Sequence, residues 1–373
     1  MPFLKPRSVL SIGGGLALVL MGCQGQLSNQ SGLIPTPSPT QAAKSSTPTT
    51  GDLALSLKTT VRTMLLKGDV TTWAGEGSSG WSDSATTSAR FDMPVGVAVD
   101  RQGQVYVADS GNNCVRMILT DGTVQTLAGS QTAGREDGSL LMARFDDPTG
   151  LALDTDGTLY VADTHNNAIR KITPTGYVST FVSLSSPTGL VLDASHDLYV
   201  AETGRNAIDR ISPDGTMQLF AGSEASGSTD GALNTARFDR PMGLAIDASG
   251  ALYVADSGNN CIKVIRNGQV STLAGLATVP GYRDGKGSAA MFDDPMGIAV
   301  TSFGEVFVAD TGNQCLRAID RLGNVTTIAG SVTGDSDGVG SAALFDSPQG
   351  LALDPSGDLF VGDTLNHCIR KVS

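Results

Sequence analysis

The sequence predicts an all-β fold, a six-bladed β-propeller in which six antiparallel sheets pack radially around one axis. Three observations support this prediction. One pattern recurs six times along the chain, each copy contains short strand-like segments, and the first and last copies are incomplete in complementary ways. Repeats with periods of up to about 50 residues are typical of propellers and other repeat architectures.

Each copy begins with a Pro-x-Gly strand, followed typically by a Tyr/Phe-Val-Ala-Asp strand, a Ser/Thr-x-Asn turn and an Ile-Arg strand. The copies begin at Pro94, Pro148, Pro187, Pro241, Pro295 and Pro348. Their spacings are 54, 39, 54, 54 and 53 residues, so the third copy is short. The strands are apolar on both faces, so each sheet needs a neighbour on both sides, and radial stacking of six supplies it.

The two ends of the repeat region predict how the ring closes. The last copy stops after its third strand, at residues 368–373, and lacks a fourth. Residues 70–75 match the fourth strand of the first copy, residues 124–129, position by position. We therefore expect the N-terminal strand to complete the C-terminal blade. Residues 61–62 offer a second candidate third strand, which leaves the placement of residues 56–69 open.

The copies resemble NHL repeats, as in residues 159–164 (Leu-Tyr-Val-Ala-Asp-Thr) and 167–170 (Asn-Ala-Ile-Arg). The resemblance covers roughly residues 61–373. NHL proteins include RNA-binding domains, sensor domains of receptor kinases, protein-interaction modules and an amidating lyase. The resemblance therefore implies a fold rather than one function.

The N-terminal residues predict export. Lys5 and Arg7 precede an apolar run, residues 9–21, that is too short to span a bilayer. The run ends Leu-Met-Gly-Cys23, which resembles the lipobox of bacterial lipoproteins. We expect a signal peptide at 1–22, a lipidated Ser/Thr/Pro-rich tether at 23–60 and the propeller at 61–373. An ordinary secretory signal with a chance cysteine is the alternative.

The net charge and the lipobox resemblance limit the kinds of binding partner that we expect. The net charge is −12 and no cluster of Lys and Arg is present, so we expect no nucleic-acid binding. The membrane would be reached through the lipid on Cys23 alone. Since Gln24 follows the cysteine, the resemblance implies the outer membrane in a bacterium with two membranes. We expect a monomer.

The third copy predicts a candidate binding site. It lacks the long segment, here called the lead-in loop, that precedes the first strand in the other five copies. At the turn between its second and third strands, Glu202 and Arg205 replace Asp and Asn, and Asp209 stands where other copies have Arg or Lys. We call the face that carries this loop and this turn the top face. The missing loop predicts a notch at the top face of the third blade, and we expect this notch to be the binding site. Glu202 and Arg205 would line it, and Arg135 and Arg144 of the neighbouring loop would be within reach. The alternative is that these residues reflect neutral drift in a degenerate repeat.

Other recurrent residues have simpler interpretations. Five aspartates open Gly- and Asn-rich turns at the top face, where carboxylates accept backbone N–H groups. They are Asp109, Asp163, Asp256, Asp310 and Asp363. A phenylalanine recurs in each lead-in loop and is expected to pack the loop down. These residues are Phe91, Phe145, Phe238, Phe292 and Phe345.

The cysteines and histidines predict neither disulfides nor a metal centre. Four cysteines occupy one third-strand position in different blades, too far apart for disulfide geometry. They are Cys114, Cys261, Cys315 and Cys368, and they exchange with alanine in the other two copies, so we expect buried free thiols. His165, His196 and His367 lie in separate turns and cannot converge on a zinc ion. The NHL amidating lyase, in contrast, relies on several metal-binding histidines.

The leading hypothesis is a cell-envelope binding module without a catalytic centre or cofactor, whose top face recognises an envelope protein or a surface glycan. No nucleophile elbow, phosphate loop or paired metal motif is present in the sequence. The alternative is a calcium-dependent propeller enzyme of the lactonase or lyase class that acts in the central channel; a passive spacer is a third possibility. A channel lined by carboxylates would favour the enzyme, and one lined by Gly and Ala would favour the binding module.

Overall fold

The computed structural model describes residues 66–373. The predicted signal peptide (1–22), the tether (23–60), the lipidation site Cys23 and the candidate strand at 61–62 lie outside the described residues. Within the described part, no helix has the length and apolar character needed to cross a membrane.

Six antiparallel sheets form a ring, which confirms the predicted six-bladed propeller. The first strand of each blade contacts the first strands of both neighbouring blades, so these strands surround the axis. They span Pro94–Val99, Pro148–Leu153, Pro187–Leu192, Pro241–Ile246, Pro295–Val300 and Pro348–Leu353. The second strands span Val105–Asp109, Leu159–Asp163, Leu198–Glu202, Leu252–Asp256, Val306–Asp310 and Leu359–Asp363.

The third strands span Cys114–Ile118, Ala168–Ile172, Ala207–Ile211, Cys261–Arg266, Cys315–Ile319 and Cys368–Val372. The fourth strands of blades 1 to 5 span Thr123–Gly129, Tyr177–Ser183, Met217–Gly222, Gln269–Ala274 and Asn324–Gly330. In blade 6 the fourth strand is the N-terminal Asp69–Ala74, which pairs antiparallel with Cys368–Val372. The predicted closure by the N-terminal strand is therefore confirmed.

Five blades carry a short fifth strand, donated by the lead-in loop to the outer edge of the sheet. These strands span Ser84–Ala85, Gly138–Ser139, Gly231–Ala232, Gly285–Lys286 and Gly338–Val339. Among the described residues, blade 3 has four strands, as expected from its missing loop. Short 3-10 helices occupy the loops and top turns, at Thr86–Ser88, Ser110–Asn112, Thr203–Arg205, Ser257–Asn259, Gly287–Ala289, Thr311–Asn313, Gly340–Ala342 and Thr364–Asn366.

The glycine of each Pro-x-Gly sequence lies where the blades come closest together. A Cβ atom at any of these six positions would overlap a backbone carbonyl oxygen of the next blade. At Gly297, for example, the carbonyl is that of Gln349, and at Gly350 it is that of Val95, across the junction that closes the ring. Only glycine permits this backbone approach.

A second ring of contacts joins the blades at the top face. The Ser or Thr that begins each top turn donates its hydroxyl to the carbonyl of the proline that begins the next blade. The pairs are Ser110–Pro148, Thr164–Pro187, Thr203–Pro241, Ser257–Pro295, Thr311–Pro348 and Thr364–Pro94. The last pair links blade 6 to blade 1, so the hydrogen bonds run around the whole circle.

We predict that Gly297→Ala destabilises the propeller by about 3 kcal/mol or more, because the added methyl group meets backbone that cannot move aside. Gly250→Ala is the matched control, since Gly250 lies in open space at φ +82 and its replacement adds only left-handed strain, about 1–2 kcal/mol. Urea unfolding measures both. Equal losses in the two variants would refute the role assigned to the axial glycines.

Candidate functional site

A buried ion-pair cluster holds the lead-in loop of each full blade, as blade 2 illustrates. Asp163 accepts hydrogen bonds from the Asp146 N–H at 2.7 Å and from Asn166 Nδ2 at 2.9 Å. Its second oxygen pairs with Arg170 at 2.8 Å, and neither side chain is exposed. Arg170 also donates to the Asp137 carboxylate and to two loop carbonyls, so one guanidinium connects the third strand to the loop.

The cluster recurs, which assigns a structural role to the aspartates singled out in the sequence. Blades 1, 5 and 6 repeat the Asp–Arg pair at 2.6 to 2.8 Å. Burial raises the pKa of Asp109, Asp310 and Asp363 to about 6 in spite of their arginines. In blade 4, burial raises the pKa of Asp256 to about 7, and Lys263 there binds the loop carboxylate Asp230.

These aspartates do accept a backbone N–H, but it belongs to the lead-in loop 17 residues earlier rather than to the turn that each aspartate opens. Sequence reasoning also missed the buried arginine. The signal was present as a constant spacing of seven residues between the Asp of the second strand and the Arg or Lys of the third. Adjacent strands of a hairpin bring these two positions to diagonal sites on one face of the blade, since Asp109 pairs with Cys114 and Arg116 pairs with Val107.

The recurrent phenylalanines pack the loops down, as predicted. All five are fully buried. Each ring also lies beneath the cationic group of the cluster, at 5.0 to 5.9 Å from ring centroid to charge. Blade 3 has Leu184 at the corresponding position, three residues before its proline, and this leucine is also buried.

Blade 3 reverses the charges of the cluster. Asp209 takes the strand position of the arginine, and Arg205 takes the turn position of the asparagine. Arg205 lies 2.6 Å from Glu202 and 3.6 Å from Asp209, and Glu202 also accepts the Ser185 N–H at 2.7 Å. The reversal follows from the missing loop, because an arginine at position 209 would lack the loop carbonyls and carboxylate that satisfy Arg170.

The two carboxylates of this altered cluster are buried, while its cation is partly exposed. Glu202 and Asp209 are each 1% exposed, whereas about a third of the Arg205 side chain reaches solvent. One oxygen of Asp209 is buried without a hydrogen-bond partner among the described residues. Burial, followed by the neighbouring Glu202, raises the pKa of Asp209 to about 7.

Of the four residues predicted to line the notch, Glu202 and Arg205 are in direct contact. Arg135 lies next to this pair. It donates a hydrogen bond at 2.7 Å to the hydroxyl of Ser183, and Ser183 is two residues before Ser185, whose N–H binds Glu202. Arg144 turns toward Glu136, at 3.7 Å. No hydrogen bond or ion pair within residues 66–373 joins Arg135 or Arg144 to the Glu202–Arg205 pair, and the binding role of all four stays a prediction.

The axial channel is lined by small and apolar groups. Its upper part is lined by Gly and Val, by Met242 and Met296, and by Thr149, Thr188 and Gln349. Its lower part is lined entirely by Val, Ala, Leu and Ile. No carboxylate is among the described residues that line either part.

Carboxylates surround the upper mouth of the channel instead. The residue two before the proline is Asp in five blades, and Asp147 and Asp294 directly precede theirs. Burial raises the pKa of both Asp147 and Asp294. Arg240 lies 3.5 Å from Asp294 and balances part of this charge, and the His165 ring lies 3.3 Å from Asp147.

The cysteines and histidines take the places expected of them. The four propeller cysteines are buried free thiols. His367 accepts the Met93 N–H across the junction of blades 6 and 1, and His196 pairs with Asp154 at the bottom face. Within the described part of the chain, no three metal-ligating side chains cluster together.

We predict that Asp209→Asn changes the pH dependence of stability. The folded state holds the Asp209 proton up to about pH 7, whereas an ordinary aspartate loses it near 3.8. Between these values the folded state binds more protons, so the Asp209 contribution makes stability fall as pH rises. The variant should flatten this slope by up to about 1.4 kcal/mol per pH unit, measured by urea unfolding from pH 4 to 8.

The control is Asp214→Asn, in an exposed hairpin of the same blade. Hydrogen bonds from Thr216 lower the pKa of Asp214, so Asp214 is ionised in both the folded and the unfolded state above about pH 5. Its variant should leave the slope unchanged. If the stability of Asp209→Asn depended on pH as steeply as that of the wild type, the raised pKa assigned to Asp209 would be contradicted.

Comparison with known proteins shows which family the repeats of four blades match. The NHL repeat family matches residues 91–116, 145–172, 238–265 and 345–372, which lie in blades 1, 2, 4 and 6. NHL repeat-containing protein 2 of Gallus gallus is 29% identical over 336 residues, covering 74% of this chain and 46% of that protein. The chain thus spans about half the length of this relative.

Solved structures show the same fold at low identity. An auxiliary nutrient binding protein from Bacteroides thetaiotaomicron superposes with a TM-score of 0.65 at 16% identity, covering 82% of this chain and 76% of that one. A gluconolactonase from Xanthomonas campestris gives 0.56 at 17% identity, covering 81% and 88%. The ring of six sheets and the matched repeats lead to one conclusion: the chain folds as a six-bladed β-propeller, and four of its blades match the NHL repeat family.

Proposed function

We propose that this propeller is a non-enzymatic binding module of the cell envelope, and that its top face recognises another envelope protein. The observation that carries the proposal is the lining of the axis. Metal-dependent chemistry in the channel would need inner-strand carboxylates, whereas the described residues that line it are Gly, aliphatic, Met, Thr and Gln. The axis serves packing, which leaves the surface for recognition.

Departures from the six-fold repeat support the top face of blade 3 as the place of contact. Blade 3 lacks the lead-in loop, its fifth strand and the buried arginine. Arg205 is held by two buried carboxylates, so its exposed end is fixed in position. A fixed cation beside a gap is suited to a carboxylate of a partner protein, because arginine binds carboxylates in a defined geometry.

The channel mouth favours a protein partner over a glycan. Met93 and Leu365 are about half exposed at the junction of blades 6 and 1, beside the acidic residues of the mouth. Methionine is enriched at protein interfaces, and apolar groups with a charged rim are typical of them. The nutrient-binding protein from Bacteroides, by its description, uses a similar fold for binding.

The lipid anchor completes the proposal. Cys23 would carry the acyl chains after removal of residues 1–22, and residues 23–60 would hold the propeller away from the membrane. Gln24 after the cysteine supports the outer membrane as the destination in a bacterium with two membranes. The support is the lipobox resemblance of the sequence alone.

The binding face is tested by placing a photo-crosslinking amino acid at Ser186 on the top of blade 3, or at Ser195 in its bottom turn, in intact cells. We predict a discrete protein adduct from position 186 and none from 195. The adduct should fall at least fivefold in Arg205→Asn combined with Arg135→Ser, which introduces the residues of other blades. An adduct that both positions give, or that the variant leaves unchanged, would contradict the proposal; a smear sensitive to periodate would point to the glycan.

The calcium-enzyme alternative makes a different forecast for the same purified protein. A metal ion that binds only the folded state raises the melting temperature by mass action. We expect chelation to leave the melting temperature of this propeller within about a degree. A stoichiometric metal ion and a drop of many degrees on chelation would favour the lactonase or lyase class instead.

The anchor is tested by Cys23→Ala, which we predict moves the protein from the membrane fraction to the soluble fraction. Cys261→Ala is the matched control, because alanine already occupies this position in two blades and the thiol is buried. Fractionation with metabolic labelling by a fatty-acid analogue measures both. Membrane association that survives in Cys23→Ala would contradict the anchor.

A further inference from the structure

A cleft opens on the bottom face between blades 4 and 5, on the side of the molecule opposite the proposed binding face. It has a volume of about 260 Å³. One wall is the face of blade 4, with Tyr253, Val264 and Leu273. The other wall consists of two bottom turns of blade 5, which supply Phe303 and Arg321.

The same place is filled by the protein itself in other blades. In blade 2, Lys171 lies over the rings of Tyr160 and Phe181, at 5.7 and 5.8 Å. In blade 6, Lys371 lies over Trp73 and Phe360 in the same way. Register places Val264 of blade 4 at the lysine position, opposite Tyr253. Leu273 occupies the position that Phe181 has in blade 2 and Trp73 has in blade 6. Because Val264 and Leu273 are smaller than the residues at these positions in blades 2 and 6, a space remains beside Tyr253.

Blade 5 shows that small residues at these positions need not leave a cleft. Its corresponding residues are Ala318 and Ile328. There the N-terminal Leu66 packs against the apolar cluster that contains Phe307 and Ala318. Among the described residues, the cleft at blade 4 has no such cover, and the ring of Phe303 beside it is 68% exposed. At the equivalent turn position, blades 3, 4 and 6 have serine.

The two aspartates that line the cleft are already hydrogen-bonded by groups of their own blades. Asp247 accepts from the Ser249 and Ala251 N–H groups and from the Tyr253 hydroxyl, which lies 3.0 Å away. Asp320 is occupied in the same way by its own turn, through Leu322 and Asn324. The carboxylates of the lining are therefore satisfied within their turns.

The arginines of the cleft are not satisfied in this way. Arg266 is more than half exposed, donates to the Tyr253 hydroxyl at 3.2 Å and lies 3.8 Å from Asp247. Arg321 lies over the Phe303 ring at 5.8 Å and forms no ion pair with any described residue. Glu305, the other carboxyl near Arg321, is 92% buried, and burial raises its pKa. Free guanidinium donors beside an exposed ring suit a ligand that combines an acceptor group with a flat apolar body.

We propose that this cleft binds a small aromatic carboxylate, of about one ring. The ring packs between Phe303 and the apolar wall of blade 4, and the carboxylate accepts hydrogen bonds from Arg321 and Arg266. The volume is close to the lower end of small-molecule sites, which sets the limit of one ring. This site is independent of the proposed top-face function.

The test uses benzoate as the probe and the full-length protein, with saturation-transfer NMR and titration to a Kd. We expect binding to the wild type, and at least tenfold weaker binding to Arg321→Thr, since a charge-assisted hydrogen bond is lost. Phe303→Ser, the residue of blades 3, 4 and 6, should also weaken binding. Arg101→Thr is the control: it removes an exposed arginine from the bottom turn between the first and second strands of blade 1, outside the cleft, and should change nothing.

A filling variant tests the cleft itself. Val264→Lys with Leu273→Phe rebuilds the arrangement of blade 2, so we expect loss of benzoate binding with an unchanged or raised melting temperature. If that variant fails to fold, Phe303→Ser and Arg321→Thr decide the matter alone. Benzoate binding that survives all three variants, or equal binding of benzylamine, would overturn the proposal. Arg205→Asn should leave benzoate binding unchanged, which separates this site from the top face.

Discussion

The backbone contact between neighbouring blades at the axis is the constraint on which the rest of the structure depends. Six glycines allow the first strands to approach so closely that a methyl group at any of them would overlap a carbonyl of the next blade. Each twisted sheet then finds an apolar neighbour on both faces. The axis carries glycines and aliphatic residues, with Met, Thr and Gln side chains in its upper part and no charged side chain among the described residues that line it.

The lead-in loops are held against the outer part of the blades by a second set of contacts. In blades 1, 2, 5 and 6 a buried arginine connects a strand carboxylate, loop carbonyls and a loop carboxylate, and in blade 4 Lys263 binds one loop carbonyl and the loop carboxylate. A buried charge needs this full set of partners, because desolvation without them is costly. Blade 3 shows the dependence: where the loop is absent, the charges of the cluster are reversed and the arginine moves to the turn, where it reaches solvent.

A six-fold repeat makes departures from the repeat informative, because each blade serves as a reference for the others. At the top of blade 3 a loop present in the other blades is missing, and at the cleft of blade 4 larger side chains present in other blades are missing. The two differ in chemistry and lie on opposite faces. At the top of blade 3, Arg205 is held by Glu202 and Asp209, and the bottom cleft presents two arginines beside an exposed aromatic ring.

The sequence by itself determined the number of blades, the strands of each, the closing strand and the burial of Phe145 and Cys261. These follow from local patterns that repeat, so spacing alone reveals them. It also located the anomaly at Glu202, Arg205 and Asp209. Only the tertiary structure decided that Glu202 is buried, that Arg170 joins strand to loop, and that Val264 and Leu273 leave a cleft. Those results depend on which side chains from distant segments meet and how completely they fill the space between blades, and such contacts leave no periodic signal in the chain.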